Sequence, residues 1–346
     1  MKRVFLFIVV AVMACMPLMA QPRQDINIKV SRIWSNGEYC SFASMIKFKG
    51  KYYVSFRESD THQILKAENR CGKSRVLVSD DGKNWRSVAL IEKEGYDLRD
   101  PKLSITPDGR LMLLMGGSVY KNLKLANMYP QVCFSKDGEH FSDLQPVRFA
   151  DGLSKENEWI WRVTWHEGVG YGVVYGSGFM LVKTTDGVNY DLVCRLDMPG
   201  RPGEATVRFL PDGTMAMMVR RDGDSRNGAW GMSKAPYTQW SWNDMDVPLG
   251  GPDFMITSDT TMIVASRSLY STEKTMLFKG NMKGKVEEIA ILPSGGDDNS
   301  YTGMIVEGNE LWVAYYSKHE GPKASIYLAK VPMSLFNGTI TSRYFY

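Results

Sequence analysis

The chain has 346 residues, with 42 Lys and Arg against 38 Asp and Glu and a formal net charge of +4. No basic run or basic amphipathic stretch accompanies that near balance, which argues against a nucleic-acid partner. The five cysteines and four histidines lack metal-type spacing, and there is no Gly-rich phosphate loop, Cys-x-x-Cys, His-Glu-x-x-His or Gly-x-Ser-x-Gly. Neither a metal nor a cofactor is therefore expected.

In chain order, Met1-Lys2-Arg3, an apolar run over 4–14 and small residues up to Ala20 read as a signal peptide spanning 1–20. The run is too short for a membrane span. Residues 12–15 also resemble a weak lipobox, which would place a lipid anchor on Cys15. Either route exports the chain to the periplasm or the exterior, free or as a lipoprotein. Residues 26–346 contain no linker rich in Pro, Gly or Ser, so they are expected to form a single domain. A domain of that size buries enough core to leave Cys40, Cys71, Cys133 and Cys194 as free thiols.

Within it, strands are expected almost throughout. The segment 26–34 reads as a strand that closes the fold against the last unit. Five apolar pairs broken by turn clusters follow: MIKF-KGK-YYVSF, KLSI-TPDGR-LMLLM, TVRF-LPDGT-MAMMV, FMI-TSDTT-MIVAS and GMIV-EGNE-LWVAY. Each reads as a hairpin of consecutive strands. With the pair after Arg162 they give six units, opening near Ser41, Asp100, Arg162, Glu204, Asp253 and Tyr301. In the first three units, SDDGKNW (79–85), SKDGEHF (135–141) and TTDGVNY (184–190) repeat a hydroxyl, Asp-Gly and an aromatic. A recurring turn of this kind belongs between a third and a fourth strand. The predicted fold is all-β, a six-bladed β-propeller with four-stranded blades.

That register also predicts a site. The start of each inner strand and the end of the second share one face of a propeller. Five residues into each second strand stand Arg57, Gly116, Gly176, Arg220, Arg267 and Tyr316. Three guanidiniums at one level, facing the inner-strand starts, suit a bound carboxylate or other anion. Trp159, Trp161 and Trp165 alternate in one strand and divide between core packing and stacking on a sugar face.

The Asp-Gly turns resemble the Asp-box (BNR) repeats of sialidases, one residue shorter than usual. GEATVRFLPDGTMAMMVRR (203–221) is similar to the sialidase segment in which a Glu opens an inner strand and an Arg closes the next. NSYTGMIVEGNELWVAYY (299–316) resembles the last-blade motif carrying the nucleophilic tyrosine. The segments FRE…H, DLRDPKLS, WRVTWH and SYTG…YYSKHEG…IYLAKV look most like a bacterial, exported, sialidase-like branch, over about 26–332. This resemblance implies Tyr301 as nucleophile, Glu204 as its activating base, and Arg220 and Arg267 as carboxylate ligands. It implies Asp60 as acid and base, with His62 and Asp100 as competing donors. An oxocarbenium-like centre beside an anionic substituent favours a neutral tyrosine over a carboxylate nucleophile.

The sequence departs from that pattern at Ser41, where sialidases carry the first arginine of their triad. Arg57 is the expected replacement, assisted by Arg162 or Arg99. The implied activity is a retaining exo-glycosidase acting on a terminal acidic sugar, sialic acid first, within a glycan or glycoconjugate. The alternatives are a glycosidase for another sugar, a non-catalytic glycan-binding propeller and a partner-docking scaffold.

Overall fold

A computed structural model describes residues 27–150, 153, 158–267, 273–296 and 298–336. The expected leader at 1–20 and the expected anchor position Cys15 lie outside the described residues. Six sheets form the ring that the repeat predicts. Blade one runs outward through Tyr39–Phe48, Lys51–Ser59, Lys73–Ser79 and Arg86–Ile91. Blade two uses Asp97–Ile105, Leu111–Lys121, Gln131–Ser135 and Gln145–Pro146, and Lys124–Met128 adds to its long second strand. Blade three is Trp159–His166, Val169–Tyr175, Phe179–Thr184 and Asn189–Arg195, with Arg148–Phe149 parallel to its outer edge.

Blade four is Pro202–Phe209, Met215–Arg221, Asn227–Ser233 and Ser241–Pro248. Asp253–Ile256, Thr261–Arg267, Thr275–Asn281 and Val286–Ile291 make blade five. The last blade holds Ser300–Glu307, Glu310–Ser317 and Ser325–Pro332, and its outermost strand is Lys29–Trp34 from the other end of the chain. That strand pairs antiparallel with Ser325–Pro332, from Lys29 opposite Lys330 to Trp34 opposite Ile326. The predicted clasp is therefore present, and no edge is left where the ring closes.

The core lies between blades, where the alternating apolar faces meet. The second strands are almost wholly buried, as in Leu111 to Leu114, Met215 to Val219 and Leu311 to Ala314. Buried Met112, Met217, Met218 and Met262 fill irregular gaps there. Cys40, Cys71, Cys133 and Cys194 are free thiols.

The Asp-Gly turns sit where third strands hand over to fourth. In blade one the Ser79 hydroxyl accepts from Gly82 N (2.8 Å), and Asp81 Oδ1 accepts from Lys83 N and Asn84 N (2.8 Å each). Ser135 with Asp137 and Thr184 with Asp186 repeat the pattern. Gly82, Gly138 and Gly187 all have positive φ, from +64° to +83°. Each also presses on the second strand of the preceding blade, at Trp312, Tyr53 and Met112 in turn. These three side chains hold the same level, each one residue after the first apolar residue of its strand, Leu311, Tyr52 and Leu111 in turn. The glycine is thus required twice over, for backbone conformation and for the side chain that occupies the place of a Cβ.

Candidate active site

Five of the six inner strands carry a register shift at one level: between Ser41 and Ser44, Arg99 and Lys102, Ile160 and Val163, Pro202 and Ala205, and Ser300 and Gly303. Bulges of this kind re-aim side chains next to functional sites. Here they present Phe42, Asp100, Arg162, Glu204 and Tyr301. Phe42, Asp100 and Tyr301 take left-handed φ values of 64°, 49° and 48°, a costly conformation for a bulky residue.

Tyr301 stands at the centre of the mouth. Its hydroxyl donates to Glu204 Oε1 at 2.6 Å and accepts from Arg220 Nη1 at 3.0 Å. Arg220 Nη1 also reaches both carboxylate oxygens of Glu204, at 3.1 and 3.0 Å, and Gly251 N donates to Glu204 Oε2 at 2.8 Å. Gly251 has φ +58°, and a Cβ there would lie 2.6 Å from the Tyr301 ring, so only glycine permits both contacts. Burial raises the Glu204 carboxyl, but Arg220, the Tyr301 hydroxyl and Gly251 N outweigh it and hold the group below its usual range. Burial, with Glu204 beside it, pushes the Tyr301 phenol well above its ordinary value. A neutral phenol is therefore hydrogen-bonded to an ionised carboxylate, the geometry of a nucleophile with its base.

Arg267 lies over the Tyr301 ring, 5.4 Å from its centroid, and pairs with Asp298 Oδ1 at 2.6 Å. Asp298 is a hub that the sequence did not flag. It accepts from Tyr316 Oη (2.6 Å) and Tyr39 Oη (3.2 Å), and His62 Nδ1 lies 2.5 Å from Oδ2. Although its burial opposes ionisation, His62, Arg267 and Tyr316 lower its carboxyl to about 2. His62 packs edge-on against Phe42, whose ring lies 5.2 Å from that of Tyr301. Arg99 covers the Phe42 ring at 4.8 Å, donates to His62 O at 2.8 Å and lies 3.5 Å from Asp97.

Asp100 occupies the bulge of blade two. It is 4 % exposed and its Oδ1 has no hydrogen-bond partner. Burial pushes its carboxyl up to about 7, with Glu204 adding to the rise and Lys102, Arg99 and Arg57 opposing it. The mouth therefore holds Glu204 and Asp298 lowered below the usual carboxylate range and Asp100 raised to about 7, and the separation between Glu204 and Asp100 suits a base and an acid.

Three expected residues stand elsewhere. Arg57 is fully buried in the wall between blades one and two, with Nε donating to Asp97 Oδ1 (2.7 Å) and Nη1 to Thr61 O (2.8 Å). Arg162 turns down the central channel to Asp253 Oδ2 (3.0 Å) and Thr302 O (2.7 Å). Asp60 is tied into its own loop by Ser59 Oγ, Asn69 Nδ2 and Arg70 N. Those bonds outweigh its burial and keep its carboxyl below the usual range. The three tryptophans are packing residues. Trp159 is sandwiched between Gly116 and a stacked Tyr175, Trp161 meets Tyr301 edge-on, and Trp165 bonds to Ser104.

Two surface depressions of about 720 and 460 Å³ lie at strand-three to strand-four turns of blades four and two, on the face opposite the mouth. They contain none of these residues. Among the described residues no cluster of three or more His, Cys, Asp or Glu is arranged to hold a metal, and no helix is long and apolar enough to cross a membrane.

No protein-family model matches the sequence, and no curated protein matches it. Solved structures do. A protein of unknown function from Dyadobacter fermentans DSM 18053 superposes with a TM-score of 0.74 at 17% identity, covering 88% of this chain and 99% of that one. The NanB sialidase from Streptococcus pneumoniae gives 0.70 at 12% identity over 88% of this chain and 71% of its own. Trypanosoma rangeli sialidase, solved as a covalent intermediate with 2,3-difluorosialic acid, gives 0.69 at 10% identity. Here 90% of this chain spans 60% of that enzyme. At these identities the likeness is one of fold: the chain is a six-bladed β-propeller that superposes on those of these sialidases.

Proposed function

We propose that this protein is an exported retaining exo-glycosidase of sialidase type that removes a terminal acidic sugar, sialic acid first, from a glycan. The observation that carries this reading is the 2.6 Å hydrogen bond from Tyr301 to an ionised Glu204, clamped by Arg220. Tyr301 attacks the anomeric carbon while Glu204 takes its proton, and the glycosidic oxygen leaves with a proton from an acid. Asp100 fits that acid better than Asp60, because its carboxyl is buried, leaves Oδ1 without a partner and is raised to about 7, whereas Asp60 is hydrogen-bonded and lowered. Water then releases the sugar from Tyr301, with Asp100 acting as base.

Arg99, Arg220 and Arg267 are assigned to the substrate carboxylate, with Arg99 from blade two serving where Ser41 leaves the first position vacant. The Asp-Gly turns are read as Asp boxes that hold the ring, and the leader at 1–20 supports export. The test is release of free monosaccharide from sialylated and uronylated glycans, together with labelling by 2,3-difluorosialic acid. The wild type is expected to release sugar and gain a covalent mass adduct on Tyr301. Tyr301→Phe is expected to do neither while melting like the wild type, and sugar release at the wild-type rate by Tyr301→Phe refutes the assignment.

One observation favours a second reading, a glycan-binding propeller without turnover. Each mouth arginine already faces a protein carboxylate: Arg220 faces Glu204 and Asp222, Arg267 faces Asp298, and Arg99 faces Asp97. Saturable glycan binding with no released sugar and no adduct would select that reading.

A further inference from the structure

Below Tyr301 the central channel holds a second polar constellation that the glycosidase reading does not use. A cavity of about 40 Å³ between blades two and three is lined by Lys102, Ser104, Arg162 and Arg208. Two of its three cationic side chains converge on one carboxylate. Asp253 takes Arg162 on Oδ2 at 3.0 Å and Arg208 on Oδ1 at 2.8 Å. Lys102 is 3 % exposed and forms no ion pair with a carboxylate among the described residues. Its ammonium has only the Ala43 and Phe42 carbonyls, at 3.2 and 3.4 Å, and the face of Trp161 at 4.7 Å.

Arg162, which lines the cavity, also carries an unused donor. Arg162 is 8 % exposed, its two terminal nitrogens are engaged with Asp253 and Thr302, and its Nε is buried without a partner. A buried N–H of a charged group left unmade is costly, and so is an uncompensated pair of buried positive charges. The like-charge crowding shows in the groups themselves. Burial and the neighbouring Arg162 bring Lys102 down to about 7, and burial and Arg208 bring Arg162 down as well.

We propose that this cavity is a binding site for a small monovalent anion, chloride in ordinary salt, held by the three cationic side chains that line it, Lys102, Arg162 and Arg208. Size sets the class of ligand. One water needs roughly 10–15 Å³, so the cavity has room for a halide and not for a carboxylated sugar. Trp161 and Tyr301 lie between it and the mouth, with Lys102 4.7 Å from the first ring centroid and 6.0 Å from the second. The site is thus separate from the sugar site above, and it stands whether or not the protein turns over a glycan.

Lys102 is faced by Asp100 on its own strand, Arg162 of blade three, Glu204 of blade four, Asp253 of blade five and the Tyr301 ring of blade six. A bound anion favours the charged lysine, so by linkage a charged lysine favours the anion. Halide affinity should therefore fall as pH rises through about 7, where Lys102 loses its proton.

The test uses bromide as the probe. Crystals of the full protein grown in sodium bromide are expected to show an anomalous peak in the cavity, within hydrogen-bonding reach of Lys102 and at least one of Arg162 and Arg208. In solution the wild type should melt higher in sodium chloride or bromide than in sodium gluconate of equal ionic strength, by about 2 °C or more. That gain should shrink between pH 6 and pH 9. Lys102→Met should weaken bromide binding at least tenfold, measured by bromide-dependent melting. Bromide found only on the surface, or coincident wild-type melting curves in halide and gluconate, overturns the proposal in favour of a water-filled cavity.

Discussion

Replacing Gly82 by alanine tests how the blades are held together. Gly82 has φ +64°, and a Cβ there would fall inside the six-membered ring edge of Trp312 on the preceding blade. Left-handed backbone costs alanine about 1 kcal/mol, and forcing a methyl into a packed contact adds about 1–3 kcal/mol. Gly37 supplies the control, because it has φ +85° with nothing within 4 Å of its virtual Cβ. Gly37→Ala should therefore lose only the backbone part, about 1 kcal/mol. For a domain of roughly 310 residues, at about 2.1 cal/mol/K per residue, the thermal shifts should be about 3–6 °C for Gly82→Ala against about 1.5 °C for Gly37→Ala. Urea unfolding of the two variants, followed by tryptophan fluorescence and by circular dichroism, gives the free energies independently. Trp312→Leu in the Gly82→Ala background should recover part of the loss, a non-additivity expected only of residues in contact. If the two glycine variants unfold together, or if the double variant is additive, the turns do not lock one blade onto the next.

Two further outcomes concern the mouth. With Asp100 as the acid, kcat/KM should fall above about pH 7 as its carboxyl loses its proton. Asp100→Asn should then lower kcat by at least about tenfold and abolish that alkaline limb, and an unchanged profile would remove Asp100 from the reaction. Asp298 bears on stability. Its folded pKa of about 2 lies below the ordinary value of 3.8, so its contribution is present in full above about pH 4 and is lost as pH falls through about 2. The shift is worth about 2 kcal/mol. Asp298→Asn should be destabilised near neutral pH and show a shallower loss of stability between pH 4 and 2, measured by urea midpoints across pH; parallel acid limbs would contradict this.

Periodicity made the ring legible. The same spacing that repeats Asp-Gly also aligned the starts of the inner strands, and the expected Asp100, Arg162, Glu204 and Tyr301 all fall at their bulges. A count along a strand gives a side chain's level and leaves its direction open. Arg57 and Arg220 share a level, yet Arg57 turns into the wall because Asp97 waits there, while Arg220 meets Glu204 in the open. Arg162 is drawn down the channel by Asp253 for the same reason. The resemblance implies Asp60 as the acid, but its bonds to Asn69 and Arg70 arise within a turn with no repeating counterpart. Asp298 and Gly251 were invisible because both lie between blades, in connections that share no pattern, and their roles depend on partners up to 259 residues away.

The clasp strand places the seam of the ring between blades six and one, and the mouth is built across that seam. Tyr301, Asp298 and Tyr316 approach from one side, and Tyr39, Phe42 and His62 from the other. Partners that far apart in the chain come together only after every intervening blade has taken its place, a late and slow kind of contact. A chain that has folded its middle blades but not zipped Lys29–Trp34 onto Ser325–Pro332 would hold Glu204 and Arg220 without a fixed Tyr301. Assembly of the site is in this sense a report on ring closure, and a local opening of the clasp would disarm the mouth while most of the core stayed packed.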